Sequence, residues 1–280
     1  MTVESLRRRA PGPSEPPVVM GVLNVTPDSF SDGGRFVDVE TAVAHATRMI
    51  DDGAAIIDVG AESTRPGSRP VPDTEQVRRA APVIKRIRRR HPHVCISIDT
   101  QSAAVARAAL DAGADWINDI SALRADPAMA DLAATTGAPV VLMHMQGTPQ
   151  TMQDNPTYDD VVGEVAAFLA RQVSAAESAG IRPERIVIDP GIGFGKRTEH
   201  NLQILARLRE IVAIGPAVLI GASRKSFIGK TLGIDDPEDR LAGSLACAAV
   251  AALAGARIIR AHDVRETVHA ARICHSIKAH

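Results

Sequence analysis

Residues 51–60 read "DDGAAIIDVG": the end of a helical stretch, a glycine, then a short β-branched run that closes on polar residues. The same order returns in "DAGADWINDI" (111–120), "TTGAPVVLMHM" (135–145), "SAGIRPERIVIDPG" (178–191), "AIGPAVLIGAS" (213–223) and "LAGARIIRAHD" (253–263). Glycine suits the position past a helix end, where left-handed backbone stops the helix at no Cβ penalty. "VVMGVLNV" (18–25) and "VCISIDT" (94–100) complete a set of eight expected strands. Between them, Val39, Val43, Ala46 and Ile50 recur near a period of 3.6, as do Val162, Val165, Leu169, Val173 and Ala176, which marks helices. The strand runs are almost wholly apolar, as parallel strands buried on both faces require. Strands and helices alternating in this way predict an α/β fold, a single-domain (β/α)8 TIM barrel over residues 18–280. An open doubly wound sheet is the alternative.

Composition narrows the function. The 280 residues are 45% hydrophobic but only 2% aromatic, so Ala, Val and Ile must build the core. Thirty-two basic residues face thirty-three acidic ones, and no overall field draws nucleic acid or a membrane surface. The run "KRIRRRHPH" (85–93) reads as the cationic end of a helix, complementing its dipole. Cys95, Cys247 and Cys274 are scattered without CxxC spacing, which argues for a reducing compartment, the cytoplasm, and against a thiolate metal site. No apolar stretch approaches the roughly 20 residues of a membrane span. Residues 1–17 lack a signal-peptide core and are expected to form a flexible polar arm.

In a barrel of this kind the active site lies at the carboxyl end of the strands. Here each apolar run ends in a group that hydrogen-bonds or carries charge, which stability alone does not demand, so an enzyme is expected. Asp99, Asn118, Asp119 and Asp189 call for a donor-rich partner, a metal or an amidine-like ring edge. Arg65, Lys225, Arg260 and His262 suit an anion such as diphosphate. Alternation points Asn118 into the pocket and gives Asp119 a structural role. His144 is read equally as a satisfied core histidine or a site residue, and Asp263 as a brace for a loop. "DPGIGFGK" (189–196) lacks the ending of a P-loop; its glycines let backbone approach a flat ligand, with Phe194 to cover one face.

Together "MGVLNVTPDSFSDGG", "IIDVGAESTRPG", "SIDT", "INDI", "LMHMQGTPQTMQ", "DPGIGFGK", "GASRKSFIG", "RLAGSLA" and "IIRAHDV" resemble the dihydropteroate synthases of folate biosynthesis, a pterin-binding family. The resemblance runs from about residue 18 to the last helix and departs at Ala61, where a second glycine is common in the family. It implies condensation of 6-hydroxymethyl-7,8-dihydropterin diphosphate with 4-aminobenzoate to give 7,8-dihydropteroate. Asp99, Asn118, Asp189 and Lys225 would grip the pterin, in a pocket lined by Ile120, Met143, Phe194 and Gly221. Asn24, Arg65, Arg260 and His262 would meet the diphosphate, with Mg²⁺ near Asn24; these four and Lys225 are the expected catalytic set. Aminobenzoate would lie against Thr64, Pro66, Phe194 and Lys225, its carboxylate near Ser226. The resemblance also implies a homodimer, formed through helices such as "RLAGSLACAAVAALAGA" (240–256). The rival readings are a methyltetrahydrofolate-dependent corrinoid methyltransferase, which has no use for a diphosphate clamp, and a pterin-binding paralogue without activity.

Overall fold

Gly113 and Gly255, two of the recurring glycines, sit at φ 112° and 116° as left-handed caps of the helices ending at Ala112 and Ala254. A computed structural model describes residues 3–12, 14–26, 35–63 and 67–280. Helix α1 (Val3–Leu6) precedes β1 (Val18–Asn24). Then follow α2 (Arg35–Asp51), β2 (Ile56–Gly60), α3 (Asp73–Arg90), β3 (Cys95–Asp99), α4 (Ala103–Ala112), β4 (Trp116–Asp119), α5 (Ala128–Thr136) and β5 (Val140–Met143). The second half runs α6 (Val161–Ser178), β6 (Ile186–Asp189), α7 (Thr198–Ala206), α8 (Leu208–Val212), β7 (Ala217–Ile220), α9 (Ser226–Leu232), α10 (Leu241–Ala254), β8 (Ile258–Ala261) and α11 (Val264–Lys278). All neighbouring strands pair in parallel and β8 returns to β1, so the sheet is the expected closed barrel and not an open one.

Each strand divides its side chains between two cores. Ile57 and Val59 of β2 face outward and pack with Ala46 of α2 and Ile84 of α3. Ile56 faces inward, in a floor made of one residue from every strand: Met20, Ile56, Cys95, Trp116, Val141, Val187, Leu219 and Ile258. The basic run expected to close a helix does so, and Arg88 there donates to the Gly113, Pro92 and Val94 carbonyls and pairs with Asp115 at 2.6 Å.

Within the segment expected as a flexible polar arm, some of the described residues pack onto the barrel. Leu6 is buried to 1% exposure within the barrel floor and Ala10 joins it. The Trp116 indole N–H donates to the Leu6 carbonyl at 2.8 Å, and Arg7 pairs with Asp115 at 2.7 Å. The physical reason is that a closed ring of strands leaves the apolar floor open at its amino end, and a short apolar plug is what covers it. Removing a buried leucine side chain costs about 2–5 kcal/mol. Leu6→Ala is therefore expected to lower the urea midpoint and red-shift the emission of Trp116, the single tryptophan. An unshifted midpoint would show that the plug contributes nothing.

Candidate functional site

Alternation carries the inward face upward in tiers. Two residues past the floor stand Asp58, Ser97, Asn118, Asp189 and Arg260, so the tier above an apolar floor is largely polar. Asp58, Ser97, Asn118 and Asp189 are all buried. Across the ladders Asn24 aligns with Gly60, Gly60 with Asp99 and Asp99 with Asn118, which brings three of the expected residues onto adjoining strands at the carboxyl end.

Arg260 lies among the acids: its Nε donates to Asp58 Oδ2 at 2.7 Å and its Nη2 to Asp99 Oδ2 at 2.9 Å. Asn118 Nδ2 donates to the same Asp58 oxygen at 3.0 Å. Two buried carboxylates repel each other unless a cation lies between them, and Arg260, the guanidinium on β8, is placed to do this. Burial opposes its charge, but Asp58 and Asp99 hold Arg260 above its ordinary pKa. Asn118 spends one N–H on Asp58, which leaves its second N–H and its carbonyl oxygen for a ligand. Asp58 Oδ1 and Ser97 Oγ, partners in the β2–β3 ladder, are buried without a hydrogen-bond partner among the described residues.

Burial lifts the Asp99 carboxyl well above the usual carboxylate range, with Arg260 pulling it back. Asp189 is pushed up to about 6 by burial, against the Gly191 N–H that donates to its Oδ1 at 2.7 Å and the nearby Lys225. Asp189 Oδ2 makes no hydrogen bond within the described residues. The site thus presents the Asn118 carbonyl and two acids toward a ligand, an edge that matches a ring with several N–H donors.

Walls and rim come from the loops above. Ile120, Met143 and Phe194 form an apolar group with Met145 and Met152. Lys225 Nζ stands 4.1 Å from the Phe194 ring centre, a cation–π contact. A Cβ at Gly193 would come within 3.0 Å of Lys225 Cδ, so the lysine stem lies across bare backbone. The preceding Arg224 is left-handed at φ 59°, a conformation that costs energy in a non-glycine residue. Asp263 braces it at 2.6 and 3.1 Å, Glu238 pairs with it, and Ser244 Oγ accepts its backbone N–H at 2.9 Å. Asp263 has the bracing role expected of it.

Other expected residues are distributed as follows. Gly221 continues the inward face of β7, beside the Arg260 stem. Ser226 begins α9 and is exposed. His262 shares a hydrogen bond between its Nδ1 and Ser223 Oγ at 3.1 Å. Burial, with Arg260 and Arg224 close by, pushes it down to about 4, so it is uncharged at neutral pH and offers hydrogen bonds, not the positive charge the sequence suggested. Asp119 points away from the axis and accepts the Ser121 and Leu123 N–H groups at 2.8 Å each, a structural role. His144 is buried against Lys196 and Phe168. Thr64, Arg65 and Pro66 lie outside the described residues, as do Gly33 and Gly34. The limb beyond them is tied to the segment after β5, with Gly67 N–H donating to the Pro149 carbonyl at 3.2 Å and Gln150 Nε2 to Ser68 O at 3.1 Å.

The residue missed by reading strand ends alone is Asp58. A carboxylate inside the apolar run "AIIDV" is a signal, since an interior charge needs a partner. Which partner, Arg260 or Asn118, is not written nearby. Among the described residues no group of three or more His, Cys, Asp or Glu side chains could hold a metal ion. Asn24 Oδ1 and Asp99 Oδ2 both flank the Gly60 backbone, 3.4 and 3.9 Å from where a Cβ would stand, with Asp99 Oδ2 accepting from Arg260. Asn24 Oδ1 suits a hard cation that arrives with most of its ligands already bound.

Comparison with known proteins follows the geometry. A family model described as "Pterin binding enzyme" matches residues 20–262. The dihydropteroate synthase of Escherichia coli K12 is 52% identical over 257 residues, covering 92% of this chain and 90% of that protein. The solved structure of Xanthomonas albilineans dihydropteroate synthase with 4-aminobenzoic acid has a TM-score of 0.89 at 48% identity, over 95% of each chain. The dihydropteroate synthase from that organism in complex with 7,8-dihydropteroate has a TM-score of 0.85 at 45% identity, again over 95% of each chain.

Proposed function

The chain belongs to the pterin binding enzyme family, and on that premise we propose that it works as a dihydropteroate synthase. It is an enzyme, a transferase, condensing 6-hydroxymethyl-7,8-dihydropterin diphosphate with 4-aminobenzoate to 7,8-dihydropteroate and diphosphate. The observation that carries the reading is the Asp58–Arg260–Asp99 arrangement beside Asn118 and Asp189 in a chain matched along most of its length to such synthases. A donor-rich pterin edge satisfies Asn118 and Asp189, which otherwise stay buried without full hydrogen bonding.

In the reaction the bond from the pterin methylene carbon to the diphosphate oxygen breaks and its electron pair leaves with diphosphate. The amine nitrogen of aminobenzoate then forms the new C–N bond and loses one proton. An aniline nitrogen is a weak base and needs little activation, so the protein's part is to hold the cationic pterin and stabilise the leaving group. Asp99, Asn118, Asp189 and Lys225 grip the ring, Ile120, Met143, Phe194 and Gly221 shape its slot, and Arg260 contacts both acids and the departing anion. Asn24 and the neutral His262 hydrogen-bond the diphosphate, and Arg65 adds charge from the β2 loop. Mg²⁺ would be held at Asn24 and would neutralise part of the diphosphate charge.

Thr64, Pro66, Phe194 and Lys225 form the aminobenzoate side, with its carboxylate near Ser226. Losing one charged hydrogen bond to the diphosphate costs about 1.5–3 kcal/mol, so Arg65→Ala should lower kcat/KM roughly tenfold or more. Steady-state kinetics indistinguishable from the native enzyme would remove the β2 loop from the mechanism. The whole reading is tested with both substrates and Mg²⁺: diphosphate should appear only as aminobenzoate is consumed, and diphosphate release that ignores aminobenzoate would refute it.

A homodimer is supported by an apolar face on two packed helices, where Val250, Leu253, Ile273 and Ile277 are 46, 37, 63 and 61% exposed. Sedimentation equilibrium decides it, and a single-chain mass would count against the pairing. Three scattered cysteines in no disulfide suit the cytoplasm. No helix among the described residues is long and apolar enough to cross a membrane.

A further inference from the structure

Lys196 closes the segment "DPGIGFGK", and nothing in the reaction above uses it. Its side chain is buried, with 3% of the residue exposed. The ammonium donates to the Phe194 carbonyl at 2.9 Å, to His144 Nδ1 at 3.0 Å and, over a longer 3.4 Å, to the His144 carbonyl. Burial pulls Lys196 down to about 7; its protonated form has three N–H donors, which this set would employ in full with His144 Nδ1 as an acceptor. Burial agrees, since it drives His144 down to about 2 and keeps the ring neutral.

Three successive carbonyls of the segment are held by side chains. Gln153 Nε2 donates to Gly193 O at 2.9 Å, Lys196 to Phe194 O, and the Tyr158 hydroxyl to Gly195 O at 2.7 Å. Its backbone lies directly on the exit of β5: a Cβ on Gly191 would stand 1.9 Å from the His144 carbonyl oxygen. Of the three grips, Lys196 alone acts on the residue whose ring carries Lys225. Losing that hydrogen bond removes a restraint on the Phe194–Gly195 peptide, leaving the Phe194 N–H to the Gly191 carbonyl at 3.0 Å as the hold on this residue's own backbone.

We propose that Lys196 and His144 are a positioning pair that sets the Phe194 ring, and through it Lys225, on the aminobenzoate side of the site. The proposal rests on the synthase reading for its kinetics, but the placement of the ring is independent of turnover. Lys196→Met and His144→Leu should each raise the KM for 4-aminobenzoate at least tenfold and the KM for pterin diphosphate as well, since Phe194 and Lys225 also border the pterin slot. The double variant should be no worse than either single one, because the two residues form one contact. His144→Asn sets an amide oxygen near the former Nδ1 and should recover to within threefold of native. In parallel, the ring-current shift that Phe194 imposes on the Lys225 methylenes, read by NMR, should collapse in Lys196→Met and His144→Leu and persist in His144→Asn. Unchanged KM values with a retained ring-current shift would overturn the pair whatever the melting temperature does, and so would additive losses in the double variant. An inactive native chain would sink the synthase reading alone, since the NMR comparison still decides the pair. If Lys196→Met does not fold, the two His144 variants carry the test, because they remove no buried charge.

Discussion

Replacing Arg260 with Leu should lower kcat/KM by about 10³-fold or more, and it should also cost about 3–5 kcal/mol of stability, the loss typical when one member of a buried ion pair is deleted. The two effects have one cause. Arg260 is the cation between Asp58 and Asp99, within 2.7 and 2.9 Å of each. Without it, two buried carboxylates must either repel or take up protons. Stability should then depend strongly on pH, with a definite sign. Asp99, already raised by burial, would lose the cation that pulls it back and stand further above the unfolded value near 4, so the folded form binds more protons between that value and the raised one. The variant's deficit should therefore be small at acid pH and grow as pH rises through that window. Urea titrations at pH 5 and pH 8 read this directly. A deficit independent of pH would show that the guanidinium acts by packing. Adding Asp99→Asn to Arg260→Leu should return part of the stability and none of the activity.

Asp189→Asn is the second large effect, and it falls on binding. The carboxylate offers two acceptor oxygens, one already taken by the Gly191 N–H. A hydrogen bond to a charged group is worth about 1.5–3 kcal/mol, so pterin affinity should fall roughly 10- to 150-fold. Since burial holds the native group near 6, the carboxylate that accepts the ring donors is depleted below that pH. Native pterin affinity should weaken as pH drops from 7 to 5, and the weakening should be shallower in the variant. Titration calorimetry at the two pH values settles it; equal slopes would reassign the proton to another acid, Asp99 first. The sign for stability is the opposite. A folded pKa above the unfolded one makes the unliganded native protein lose stability as pH rises from about 4 to 6.

These expectations show how unevenly the site can be read from the chain. Asp99, Asn118 and Asp189 are visible because each ends an apolar run, and alternation separates Asn118 from Asp119 without coordinates. Asp58 obeys the same alternation two places after Ile56, yet it sits within its run and so goes unnoticed when only strand ends are read. His262 is seen, but its charge is misjudged, because burial beside Arg260 and Arg224 is a property of neighbours far away in sequence. Leu6 is the clearest omission: an isolated leucine in a polar stretch has no periodic signal, and its role exists only once a ring of strands has a floor to plug.

The sequence by itself determined the eight-fold alternation, the places where helices stop, and the tier on which each strand carries its polar group. Those features follow from interactions over a few residues, namely helical and strand periods and the backbone freedom of glycine. Only the tertiary structure decided which group meets which. Asn118 reaches Asp58 across 60 residues, and Arg260 reaches Asp99 across 161 and Asp58 across 202. Such pairings depend on barrel closure and on the stagger between strands, and so does the burial that sets the protonation of Asp189 and His262. None of these is a local property of the chain.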